Sequence, residues 1–184
     1  ISTVILTGAI VALLAVALVF ANGLLWSKIA EGDFNSAKQF MQTEGLQIDD
    51  VAWTEGRTQT TRYSTTYGEV ALESSMLNYT VRVQTNGSGI YTFSNTTGVL
   101  LFNIPTSMYS VANGYWQLIF PSKNDTLTMK GTSAPVTRVF AVQKLDTGSY
   151  VRVVVAPAIR VLFSSINTSS SSTYYVKLYL PVLT

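Results

Sequence analysis

The chain has 184 residues, 47% of them hydrophobic and 12% charged, with a formal net charge of +2. The charged fraction is about half the roughly 25% of an ordinary soluble domain, which excludes an intrinsically disordered chain. Without a dense basic patch the sequence does not suit nucleic acid either. There is no histidine and no cysteine, so structural zinc, iron–sulfur clusters, disulfides, cysteine nucleophiles and histidine-dependent triads drop out together, and no cofactor is implied. The length suits one domain of ordinary size with an appendage.

The appendage comes first. Residues 1–27 carry no charge, and the first charged side chain is Lys28. Read as a helix at about 1.5 Å per residue, the run spans about 40 Å, against the about 20 apolar residues needed to cross a bilayer core. A secretory signal opens with a basic region and has a shorter apolar run. Here the run opens at Ile1 with no Lys or Arg ahead of it, the pattern expected of a mature N-terminus whose basic leader has been removed. Trp26, Ala30, Phe34, Ala37 and Met41 then recur at steps of four, four, three and four, which draws one apolar stripe. Lys28, Glu31, Asp33, Lys38, Gln42 and Glu44 fill the other faces. Gly45 reads as a C-terminal stop, and Gly23 and Gly32 each cost about 1 kcal/mol against alanine. The spacing predicts one helix over 1–44, apolar all round and then amphipathic, and a domain boundary after 45.

From residue 46 the period changes. The Thr-rich stretch 54–68 suits a polar linker or an exposed edge. Short alternating segments follow at Leu77–Gln84, Ile90–Ser94, Val99–Ile104, Tyr115–Phe120, Thr126–Met129, Val136–Lys144, Tyr150–Val155, Ile159–Ser164 and Tyr174–Leu180. Asn86–Gly89, Asn95–Gly98, Asp146–Gly148 and the Ser-rich run from Asn167 supply turn chemistry. Such a series predicts a β-sandwich or barrel over 46–184, of which an immunoglobulin-like sandwich is preferred, and the whole chain is α+β.

Charge divides the chain. Up to Glu73 there are four basic and eight acidic residues, giving −4; beyond it eight basic and two acidic give +6. Solvated faces explain this, as does complementarity between neighbouring copies. Five N-x-S/T sequons begin at Asn78, Asn86, Asn95, Asn124 and Asn167. Nine Asn, with 42 Ser and Thr among 184 positions, predict about two by chance. Four of the five fall in or beside expected turns, and glycosylation would place the head outside the cell.

A naked apolar helix of this length costs tens of kcal/mol in water at about 25 cal/mol per Å², so it lies in lipid or packs against copies of itself. Gly8, Ala9, Ala12 and Ala15 permit close backbone approach, while Ile5, Leu13, Leu18, Val19 and Phe20 fill the gaps. A single-pass anchor remains the alternative.

The run Ile1–Ala17 resembles the mature N-terminus of archaeal type IV pilins and the related archaellins. That resemblance implies a leader removed by a prepilin peptidase and a hydrophobic helix that sits in the membrane before assembly. It further implies a homopolymeric filament built by pilus assembly machinery, with β heads outside touching surfaces or other cells. Ile1 and Ile5 stand where bacterial type IV pilins carry Phe and Glu, which points away from the bacterial branch. The resemblance implies an adhesive pilus subunit, with an archaellin turned by a motor as runner-up; the apolar helix by itself leaves a membrane-anchored monomeric β-sandwich binding protein as the rival from another class.

Catalytic patterns are weak. The side chains of Asp49 and Asp50 diverge and suit a helix exit. Lys130-Gly131-Thr132 echoes a β-lactamase strand motif, but the chain has no Ser-x-x-Lys. Asn86-Gly-Ser-Gly89 is followed by no Gly-Lys-Ser/Thr and reads as a turn. Tyr174 and Tyr175 suit strand packing more than adhesion.

Overall fold

The computed structural model describes residues 2–53, 56–85, 89–112, 114–121, 128–130, 137–142, 149–167 and 172–184. It is an α+β protein, one long N-terminal helix followed by a sandwich-like β head.

Helix α1 (Ser2–Trp53) is 52 residues long and uninterrupted, in keeping with its Ala and Leu content and the absence of proline before Pro105. Its two halves live in different surroundings. Through Lys28 the described side chains are exposed, and from Ala30 one face is buried, with Ala30, Phe34, Ala37 and Met41 at 0–1% exposure. That face is the apolar stripe predicted at spacings of three and four.

The helix does not stop at residue 44. It runs through Gly45 to Trp53. Gly45 is a contact glycine and not a cap: a Cβ there would lie 2.8 Å from Cγ2 of Val139. Thr137 Oγ1 donates to the Gly45 carbonyl at 2.7 Å. The missing side chain lets a strand close directly on the helix.

That strand belongs to a five-stranded antiparallel sheet ordered β1-β2-β6-β5-β3. Its members are β1 (Glu69–Thr85), β2 (Gly89–Pro105), β3 (Trp116–Phe120), β5 (Thr137–Val142) and β6 (Tyr150–Pro157). A smaller sheet, ordered β4-β7-β8, holds β4 (Thr128–Lys130), β7 (Ile159–Asn167) and β8 (Ser172–Tyr179). In it β4 runs parallel to β7.

Strand β6 shows why its sequence reads as an almost unbroken apolar run. Val151, Val153 and Val155 point at the helix and pack with Phe34, Met41, Phe102, Ile104 and Val139. The intervening Val154 and Ala156 face the other way and pack with Val99, Leu101 and Val142. Alternation sends successive side chains to opposite faces, and here both faces are covered.

Two expected strands, Ile90–Ser94 and Val99–Ile104, are one. The Asn95–Gly98 segment lies inside β2, not in a turn. Opposite it β1 bulges between Glu73 and Leu77, with Ser75 at φ 64°. A Cβ on Gly98 would sit 2.8 Å from the Glu73 carbonyl oxygen and 2.9 Å from that of Leu183. The Gly98 N–H donates to the Leu183 carbonyl at 2.8 Å, and the Leu183 N–H donates to Thr97 Oγ1 at 2.9 Å. Glycine is needed where three backbones converge.

The expected linker is tied down where it is described. Tyr63 stacks on Phe40 at 4.2 Å. The Asp33 carboxylate accepts from Thr65 Oγ1 at 3.1 Å, from the Thr66 N–H at 2.9 Å and from the Tyr67 N–H at 3.0 Å. The Asp146–Gly148 hairpin signal and the centre of the Ser-rich loop fall outside the described residues.

Candidate functional site

The exposed half of α1 forms a stalk. All nine residues expected to pack in an assembly lie on it: Ile5, Gly8, Ala9, Ala12, Leu13, Ala15, Leu18, Val19 and Phe20 are exposed, Val19 at 75% and Phe20 at 70%. The most apolar stretch of the helix has no burial, and α1 is long and apolar enough to cross a membrane.

The helical period sorts these residues. At about 100° per residue Ile5, Gly8, Ala12, Ala15 and Val19 fall within about a quarter of the helix circumference. This is the side on which Ala30, Phe34, Ala37 and Met41 later meet the head. Ala9, Leu13 and Phe20 lie on the adjoining flank, and Leu18 lies apart from both groups. A Cβ at Gly8 or Gly23 would meet nothing within 4 Å. Even the polar Thr7 is self-contained, since its Oγ1 donates to the Thr3 carbonyl at 2.9 Å.

Where stalk meets head there is a collar. Trp26 stands edge-on to Tyr67 with ring centroids 5.9 Å apart. Gly23, Trp26, Ser27, Tyr67, Thr106, Ser107, Met108 and Ser110 line a cleft of about 700 Å³. Its polar lining is hydroxyl in character, with no charged side chain. Lys28, just beyond it, is ion-paired to Glu31 at 2.6 Å. Periodicity had marked Trp26 only as the start of a core stripe. The head's share of the collar, Tyr67, Thr106, Ser107, Met108 and Ser110, comes from 41 to 84 positions further along, which local pattern cannot connect.

At the far end of α1 a second cleft, of about 570 Å³, opens between helix residues from Glu44 to Ala52, the segment 57–59 and Pro181–Leu183. Glu44 Oε1 is buried beside it without a hydrogen-bond partner. The helix end is held by a cation–π contact and an edge-on aromatic pair. The Arg160 guanidinium lies 3.9 Å from the Trp53 ring centre, and Trp53 meets Tyr179 at 4.5 Å. Burial lowers the Arg160 pKa, opposed by the charge of Asp49.

The Asp49–Asp50 pair thus has structural partners: Asp50 is ion-paired to Arg57 at 2.9 Å and Asp49 faces Arg160 electrostatically. Among the described residues no group of three His, Cys, Asp or Glu could hold a metal ion. Tyr174 stacks on Phe163 at 5.8 Å, and both rings are exposed.

Of the sequons, Asn78 and Asn95 are exposed on the β1–β2 hairpin; Asn78 lies in a strand as expected, whereas Asn95, expected in a turn, also lies in a strand. Asn167 ends β7. Asn86 and Asn124 fall outside the described residues.

These features define a stalk-and-head protein, an apolar helix of membrane-crossing length whose upper half is the spine of a β head. Comparison with protein-family models, with curated proteins and with solved structures finds no match to this chain.

Proposed function

We propose that the chain is the structural subunit of an extracellular filament of the type IV pilus kind. Stalks would pack together as the filament core, and β heads would form an outer adhesive surface. The stalk itself carries this reading. About 24 residues of uncharged helix stand bare below the head, and their burial against copies of the same helix removes a cost of tens of kcal/mol. The small residues Gly8, Ala12 and Ala15 on one side support close helix approach. The Ile1–Ala17 resemblance to archaeal pilins and archaellins supports the particular kind of filament. Exposed Asn78 and Asn95 suit a glycosylated outer layer, and no chemistry is assigned to the head.

Negative-stain electron microscopy of filaments sheared from source cells, with mass spectrometry of their subunit and any attached sugar, tests this. Gly8→Leu or Ala12→Leu should abolish filaments while the head still folds; normal filaments from both would refute packing on that side. The membrane-crossing length of α1 equally favours a second reading, a monomeric anchored head. Mild detergent would release that species as single copies, whereas filaments should persist.

A further inference from the structure

The collar has properties that neither helix packing nor head folding uses. Trp26 is 50% exposed and Met108 44% exposed, although both line a concave site next to a folded core. Ser27, Ser107 and Ser110 are exposed around them. Below the collar, Ser2–Leu25 supplies 24 helical residues, about 36 Å at 1.5 Å per residue. A bilayer hydrocarbon core is about 30 Å thick. Counting down from the collar, the slab ends near residue 6, so the helix covers it with modest excess.

The chemistry changes at the same level. Uncharged helix gives way to Trp26 and Tyr67, then a hydroxyl ring, then the Lys28–Glu31 pair. Amphipathic aromatic rings concentrate at the membrane–water interface, with charges just outside it. The head adds to this layer through Tyr67, Thr106, Ser107, Met108 and Ser110, which lie beside the helix and not on it.

From this geometry we propose that the collar cleft is a lipid-interface seat. Before assembly the head rests on the bilayer, with Trp26 and Tyr67 at headgroup level and Met108 dipping among the acyl-chain tops. Headgroup and glycerol oxygens occupy the hydroxyl-lined cleft. The seat fixes the depth of the stalk. Because the cleft is uncharged and Lys28 is already paired with Glu31, seating does not depend on anionic lipid. The inference rests on α1 crossing the membrane as a single copy, and not on filament formation.

The test uses the full chain carrying Trp53→Phe and Trp116→Phe, which leaves Trp26 as the sole indole. It is reconstituted into phosphatidylcholine vesicles whose chains are brominated either near the headgroup or near the chain end. Trp26 emission should be blue-shifted from its value in water and quenched more by the shallow bromines. Anionic lipid or high salt should leave both unchanged. Met108→Glu should shift Trp26 emission to the red, while Met108→Leu should not, and circular dichroism should match in both. Water-like emission, stronger quenching by the deep bromines, a dependence on anionic lipid, or failure of the chain to enter vesicles would each overturn the seat. Filaments on cells together with a deeply buried Trp26 would sink the seat alone; a seated Trp26 with no filaments anywhere would sink the filament reading alone.

Discussion

Two glycines in α1 should respond to the same substitution with opposite sign. Gly32 lies where a Cβ would meet nothing within 4 Å, whereas a Cβ on Gly45 would lie 2.8 Å from Val139 Cγ2 and 3.8 Å from Val155 Cγ1. Gly32→Ala should therefore realise the whole difference in helix propensity, a gain of about 1 kcal/mol. Gly45→Ala collects the same gain but drives a methyl into Val139, which is 0% exposed and β-branched. Overpacking of this kind costs about 1–3 kcal/mol, so the net result should be a loss of about 1 kcal/mol. For a chain of this size each kcal/mol moves the melting temperature by about 2–4 °C. Thermal and urea unfolding in mild detergent, followed by circular dichroism, measures both variants. Val139→Ala should destabilise by itself yet absorb the new methyl, so a double-mutant cycle with Gly45→Ala should show favourable coupling. Stabilisation by Gly45→Ala equal to that of Gly32→Ala would refute the direct closure of β5 on the helix.

Asp33→Ala removes an acceptor shared by three donors from the linker; a loss of about 2 kcal/mol is expected for bonds to a charged group, with faster proteolysis within residues 56–68. Trp53→Ala leaves the Arg160 guanidinium buried without its aromatic face, and should cost about 2 kcal/mol and fray the last turn of α1, read by amide hydrogen exchange at residues 49–53. Burial pushes the Tyr79 hydroxyl up to about 12 from an ordinary 10. The fold therefore holds this proton more tightly than the unfolded chain does. Its contribution is complete below pH 10 and is lost as pH climbs towards 12; Tyr79→Phe should flatten the alkaline decline in a stability-against-pH series.

Features that depend on neighbours in the chain were legible. The bare stalk follows from 27 uncharged residues, and the buried stripe from Ala30 to Met41 follows from helical spacing. β6 is recognisable because β-branched residues dominate it. Legibility ended where a residue serves a distant segment. Gly45 carries the local signature of a helix cap, yet its role is set by Val139, far along the chain. Asn95–Gly98 has turn composition, yet its glycine makes room for Leu183 at the C-terminal tail. The linker is polar enough to be free, and only the position of Asp33 on α1 shows why its C-terminal end is pinned. The candidate site divides in the same way: the stalk residues could be named from spacing, whereas the collar needed Tyr67, Thr106, Ser107, Met108 and Ser110 brought to Trp26 by the fold.

One continuous helix serves as both stalk and spine, and this makes the folding state of the head visible at the stalk. If the β strands have not closed on it, Phe34, Ala37 and Met41 stay uncovered and the bare apolar surface continues several turns past Trp26. A chain with an unfinished head would thus present a longer, stickier rod of the wrong length, without a collar to stop it. The length of exposed helix is in effect a gauge of head folding, and any process that sorts chains by that length inspects the head without touching it.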